Sequence, residues 1–264
     1  MISMQLKQYI KNIFDTNSAI NFNQTSIMFI SLHKCATSYF ASYVLKNVSG
    51  YEHVDYLNNL YNNVNVLPVI DRKGIIYGPI RIQDCNHPRF SFVESLLIAN
   101  NFNKIKKIYW IRDPRDILVS MYYSFGFTHG LSKNDEFREY QLKERERIRH
   151  QSLDEYVLSE QHLIKQKFSR MHELMSFDKN FKLFKYEDMI NNFEKFYSDI
   201  TKVMPIKNDA KFQIYKDTRP NKHEDITKHK RSGVVGGYKN KLQNKTIKIL
   251  NEKLQPILDE FDYA

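Results

Sequence analysis

Three short stretches of the sequence set cations beside hydroxyls or glycines, a combination that grips a multiply charged anion. The first is Lys34-Cys35-Ala36-Thr37-Ser38-Tyr39, one ammonium followed by two hydroxyls. The second is Arg112-Asp113-Pro114-Arg115-Asp116-Ile117-Leu118-Val119-Ser120. Ser120 lies about two helical turns beyond Asp113 and on the same side, so Arg112 and Ser120 can converge on one anion. The third, His229-Lys230-Arg231-Ser232-Gly233-Val234-Val235-Gly236-Gly237-Tyr238-Lys239-Asn240, gathers three of only eight glycines in the chain. Glycine lets backbone approach a ligand and turn its N–H groups outward, and the preceding basic residues supply charge. Read singly, these stretches equally describe a βα corner with a surface lysine, an arginine paired to a carboxylate, and a basic surface loop.

The elements that must position these residues follow from the pattern around them. Ile27 to Ile30 is a short apolar run without period, which predicts a strand covered on both faces. A helix should start after it, capped by Thr37 or Ser38, with Tyr39, Phe40, Tyr43, Val44 and Asn47 along its inward face. That turn would present backbone N–H groups and the positive end of the helix dipole to an anion. Tyr51 to Val66 is polar and Asn-rich and reads as loop with helical turns. Gly74 to Ile82 reads as a strand broken near Pro79, ending just before Asp84-Cys85-Asn86-His87-Pro88. Phe92 to Phe102 makes an amphipathic helix. Lys106 to Ile111 is the next strand, after which Asp113 as N-cap and Pro114 at the first helical position turn the chain into a helix. Lys133 to His172 is heavily charged and reads as solvated helices rich in close ion pairs. Phe181 onward is a strand whose end carries Tyr186-Glu187-Asp188. Ile2, Leu6, Ile10, Ile13 and Phe14 at the start, and Ile247, Leu250, Leu254, Ile257, Leu258 and Phe261 at the end, have the spacing of helices with one apolar face.

Composition narrows the class. The 264 residues show no linker or repeat and read as one domain over 1–264; 42% hydrophobic content with 18 Phe and 17 Tyr supplies a large aromatic core, which excludes disorder. Two cysteines, Cys35 and Cys85, form neither a disulfide framework nor a zinc spacing, and a reducing compartment fits. No run approaches the roughly 18 apolar residues of a membrane span, and the start of the chain lacks a signal core, so a cytoplasmic protein is expected. Forty Lys and Arg against thirty Asp and Glu leave a formal charge of +10, which attracts polyanions. No helix-turn-helix, zinc-finger or RNP pattern favours nucleic acid as the partner.

In this order the motifs resemble those of the sulfotransferases that use 3′-phosphoadenosine 5′-phosphosulfate (PAPS). Lys34-Cys35-Ala36-Thr37-Ser38-Tyr39 is similar to that family's 5′-phosphosulfate loop, Lys-x-Gly-Thr-Thr/Ser-aromatic, with Ala36 where Gly is usual; such a turn must avoid a positive φ at Ala36 or strain it. Arg112 to Tyr123 fills every fixed position of the signature whose Arg and Ser hold the cofactor's 3′-phosphate. Tyr186 resembles the tyrosine that lies against the adenine. Arg231, Ser232 and Gly233 open a stretch similar to the Arg-Lys-Gly-x-x-Gly-Asp-Trp-Lys loop that closes over the 3′-phosphate, with Ser232, Gly237 and Tyr238 replacing Lys, Asp and Trp.

The resemblance covers nearly the whole chain and implies a P-loop-like α/β fold, a central, mostly parallel sheet with helices on both faces. It also implies transfer of a sulfuryl group from PAPS to a hydroxyl or amine of a small-molecule, lipid or glycan acceptor, leaving the product PAP and requiring no metal. Charge would develop on the bridging oxygen of the leaving phosphate, where Lys34, Thr37 and Ser38 are placed. His87 and Asp84 follow the strand ending near Ile82, about where many members place a catalytic His; imidazole suits the task by intrinsic pKa, whereas Asp84 would need burial. Glu52 and His53 stand behind them as candidates. The family's C-terminal dimer motif is absent, so the oligomeric state is open. A nucleotide kinase or phosphatase is the competing enzyme class, and it lacks its Gly-x-x-x-x-Gly-Lys-Ser/Thr loop here. A basic nucleic-acid-binding protein is the competing non-enzyme.

Overall fold

The computed structural model describes residues 25–55, 73–83, 105–178, 180–220 and 233–263. The chain passes through β1 (Ile27–Ser31), α1 (Thr37–Tyr43), β2 (Glu52–Val54), β3 (Ile75–Arg81) and β4 (Lys106–Ile111). Next come α2 (Pro114–Tyr123), a π-helical turn at Ser124–Thr128, α3 (Asp135–Arg149), α4 (Leu153–Phe177) and β5 (Phe181–Lys185). The last helices are α5 (Tyr186–Asn191), α6 (Phe193–Val203), α7 (Ala210–Thr218) and α8 (Asn244–Glu260).

The strands form one sheet in the order β2-β3-β1-β4-β5, and every described pairing is parallel. β1 is central, with a neighbour on each side and cover on both faces, which is why an unbroken apolar run suits it: Ile27, Met28, Phe29 and Ile30 are fully buried. Burial of each such side chain stabilises by roughly 1.5–3 kcal/mol. Alternation along the strands divides the faces. On one, Phe29 and Trp110 both meet Phe40 of α1 with ring centroids 4.6 Å apart, and Phe196 of α6 closes the cluster. On the other, Lys107 pairs at 3.0 Å with Asp178, just past α4. Helices therefore cover both faces, as expected of the α/β class.

Three local expectations change. β3 is not broken at Pro79; it runs through, and the β1–β3 register shifts between Met28 and Ile30 instead. Gly78 makes this fit, since a Cβ there would lie 2.6 Å from the Phe29 carbonyl oxygen at a φ of +138°. Residues 52–54, read as loop, add an edge strand. On α1, Thr37, Phe40 and Ala41 are buried, as is Val44 just past its end, whereas Tyr43 faces outward. The helices expected at the N-terminus and over Phe92 to Phe102 lie outside the described residues.

Candidate active site

A parallel sheet delivers all its strand ends to one edge, and ligands in such folds bind where the chain's direction of travel across the sheet reverses. Here the chain moves from β1 to β2 and β3 on one side, then crosses to β4 and β5 on the other. The turns after β1 and β4 flank that crossing. They carry Lys34 and Arg112, and Arg81 and Tyr186 end or follow the flanking strands β3 and β5.

The Lys34 turn is built on strained backbone. Lys34 has φ +61° and Ala36 φ +57°, both left-handed, a conformation costing an L-residue roughly 1–2 kcal/mol. Ala36, not Thr37 or Ser38, is the N-cap of α1, and no side chain caps it. Thr37 instead lies beneath the turn: its hydroxyl donates to the Leu32 carbonyl at 3.2 Å and accepts from Ser31 Oγ at 3.1 Å. Ser38 Oγ accepts from Arg81 Nη2 at 3.1 Å. Trp110 Nε1 donates to the Cys35 carbonyl and fastens the turn to β4. Burial pushes the Cys35 thiol up to about 12, so it is an inert thiol at neutral pH. Tyr39 stacks on Tyr43 and donates its hydroxyl to the Ile214 carbonyl at 2.8 Å.

Lys34 Nζ donates to Ser124 Oγ at 2.8 Å. Ser124 opens the π-helical turn, and α3 holds that turn through its carbonyls: Arg149 Nε donates to Gly126 O at 2.8 Å, and Arg145 reaches the carbonyls of Phe125 and His129. The charged segment 133–172 therefore does more than solvate; its arginines fix the position of the partner of Lys34.

Arg112 is a junction. Its Nη1 donates to the Lys34 carbonyl at 3.2 Å, its Nη2 lies 3.5 Å from both Asp116 Oδ2 and the Val234 carbonyl, and its guanidinium stacks 4.6 Å from the Tyr186 ring centre. The paired-arginine reading is thus present, because Arg112 has Asp116 as a carboxylate partner. Burial opposes its charge, but Asp116, Tyr186 and Glu187 more than offset that and raise its pKa above the ordinary value. Ser120 is half-buried one turn beyond Asp116 on α2. Asp113 is the N-cap of α2, with Pro114 next, as expected. Arg115 makes a bidentate pair with Asp113 and reaches Asn251 and the Tyr263 carbonyl.

Tyr186 donates its hydroxyl to the Gly233 carbonyl at 2.7 Å, so this ring meets both Arg112 and the glycine loop. Its neighbour Glu187 accepts from the Asp113 amide at 3.0 Å and from Tyr263 Oη at 3.2 Å, and burial raises its pKa. His53 of β2 bonds the Gly78 carbonyl of β3 through Nε2 at 2.8 Å, and burial lowers its pKa. Asp84, His87, Arg231 and Ser232 lie outside the described residues. Sequence reasoning missed Asp116, Arg81 and Ser124. Asp116 was visible at four residues from Arg112, the spacing of a helical ion pair; Ser124 had no signal, since its placement depends on a π turn.

A family model described as a sulfotransferase domain matches residues 24–262. No curated protein matches the chain. Among solved structures, mouse sulfotransferase SULT7A1 complexed with PAP is 18% identical, covering 90% of this chain and 88% of its own, with a TM-score of 0.48. Retinol dehydratase in complex with retinol and PAP is 13% identical, covering 96% and 86%, with a TM-score of 0.46.

Proposed function

Because the chain belongs to the sulfotransferase family, we propose that it moves a sulfuryl group from PAPS to a hydroxyl or amine of a small-molecule, lipid or carbohydrate acceptor, acting as one domain in the cytoplasm. The observation that carries this reading is the hydrogen bond from Arg112 to the Lys34 carbonyl, which ties two cationic turns together past the ends of the paired strands β1 and β4. A ligand with anionic groups at two ends fits such a pair. Arg112 Nε is moreover buried with no hydrogen-bond partner among the described residues, a donor that a phosphate oxygen would satisfy.

PAPS, when bound, supplies an activated sulfuryl group on a phosphate leaving group. Lys34 would donate at that leaving group, with the Cys35, Ala36, Thr37, Ser38 and Tyr39 turn around it. Arg112, Ser120, Arg231, Ser232 and Gly233 would hold the 3′-phosphate, and Tyr186 would lie toward the adenine. His87, or Asp84 in its place, would take the acceptor's proton. Side chains fixed in advance, as Lys34 is by Ser124 and Arg112 by the Lys34 and Val234 carbonyls, Asp116 and the Tyr186 ring, need little rearrangement as charge develops, and this is where positioned donors contribute most.

Thermal unfolding with PAP tests the reading. A ligand at about 100 times its dissociation constant adds roughly 2.7 kcal/mol. PAP at millimolar concentration should raise the melting temperature well beyond the effect of ATP or AMP; equal shifts for all three would remove the proposal.

A further inference from the structure

Asp116 stands four residues after the arginine assigned to a phosphate, and its side chain is only 2% exposed. A carboxylate beside a phosphate-gripping guanidinium weakens the local attraction for anions. Its contacts indicate what it does instead. One oxygen, Oδ2, accepts from the Gly236 amide at 2.8 Å and faces Arg112 Nη2 at 3.5 Å; the other, Oδ1, accepts from the Tyr238 amide at 2.9 Å. Gly236 has φ +70° and caps a short 3₁₀ turn over Gly237–Asn240. Amides of residues two apart, turned to the same side by a left-handed residue, make a backbone nest that binds an anion. In this protein the chain's own carboxylate fills that nest.

We propose that Asp116 is the positioning residue of the nucleotide end: it suspends the loop at 233–240 from α2 and at the same time orients Arg112. The amides of Gly236 and Tyr238 are then not ligands of the cofactor, although the cluster of glycines suggests that role. Phosphate binding falls to side chains, Arg112 foremost, and to the backbone at Gly233, while the loop's place is set by Asp116 through its amides and by Tyr186 through the Gly233 carbonyl. Tyr238 adds a third hold, its ring lying 4.5 Å from the Arg115 guanidinium. The identity of the ligand rests on the PAPS reading; the suspension of the loop does not.

The test is Asp116→Asn, followed by calorimetric titration with PAP and with AMP, which lacks the 3′-phosphate, and by amide hydrogen exchange at Gly236 and Tyr238. Removing a negative charge beside an anion site would by itself tighten PAP, so a loss of affinity reports lost positioning. We expect PAP to bind about tenfold weaker or worse, AMP to change much less, and exchange at both amides to accelerate. PAP affinity that is unchanged or improved overturns the proposal, as does equal weakening of PAP and AMP. In the wild-type protein both amides should exchange slowly, and fast exchange there overturns it without any variant. If wild-type protein binds no PAP, the cofactor reading fails, while the exchange measurements still decide the role of Asp116.

Discussion

Arg112→Ala and Lys34→Ala should fail in different ways, and the contacts of the two residues set the sizes. Arg112 already spends Nη1 on the Lys34 carbonyl and shares Nη2 between Asp116 and Val234, which leaves Nε as its buried donor without a partner among the described residues. Its charge toward a phosphate is also partly balanced by Asp116. The loss on truncation should therefore be near one charge-assisted hydrogen bond, about 1.5–3 kcal/mol, or roughly 10- to 150-fold in the Kd for PAP. The 3′-phosphate does not change during the reaction, so this loss belongs to binding. Lys34 differs. Arg112 contacts its carbonyl and not its side chain, so Lys34→Ala leaves the 3′-phosphate end in place, and PAP should bind within about tenfold of wild type. The ammonium would act where charge grows as the S–O bond breaks, and removing one such donor costs on the order of 10²–10³ in rate. Calorimetry with PAP gives the first quantity, and transfer from radiolabelled PAPS at saturation gives kcat. If excess PAPS rescues Lys34→Ala while Arg112→Ala binds PAP normally, the two turns have been assigned to the wrong ends of the nucleotide.

Three further outcomes are expected. Ala36→Gly should relieve a left-handed residue worth roughly 1–2 kcal/mol against an unfolded-state cost of about 0.5–1 kcal/mol, a net gain of up to about 1.5 kcal/mol in urea unfolding; clear destabilisation would mean that residue 36 is not left-handed. Burial raises the folded-state pKa of Glu187 above its ordinary value of 4.5, so its contribution to stability is complete below that pH and declines as pH rises through the folded value. Relative to Glu187→Gln, the wild type should therefore lose stability as pH rises from the ordinary carboxylate value through the raised folded one, and a difference that grows instead would reverse the assigned direction. His87→Ala should lower kcat by about 10²–10⁴ with PAP affinity intact, whereas an unchanged kcat would move the search for the proton acceptor to Asp84, or to Glu52 and His53.

Local rules were enough wherever one rule decided the outcome. The apolar run of β1, the residues of β4 and the Asp113–Pro114 start of α2 were all legible, because burial, strand period and capping each leave a mark within a few residues. Where two demands compete, the local reading failed. Thr37 is a good N-cap by type, yet its hydroxyl is drawn under the turn to Leu32 and Ser31, and the cap passes to Ala36. Pro79 should break a strand, but it meets β1 where the register slips. Ser124 was invisible because nothing in its neighbourhood announces a π turn; that turn is held by Arg145 and Arg149, roughly twenty residues on.

The connections of the Arg112 turn run far along the chain. Asp116 meets its two amides 120 and 122 residues later, and Arg115 meets Asn251 and Tyr263 136 and 148 residues later. Closing such spans costs little more free energy than closing shorter ones, but contacts of this separation form slowly. During synthesis, then, the lysine and arginine turns leave the ribosome long before the segments that complete them. The joined turns are a late product of folding, and a strand–turn–helix excised around either motif would carry its charged residues without the contacts that hold them in place.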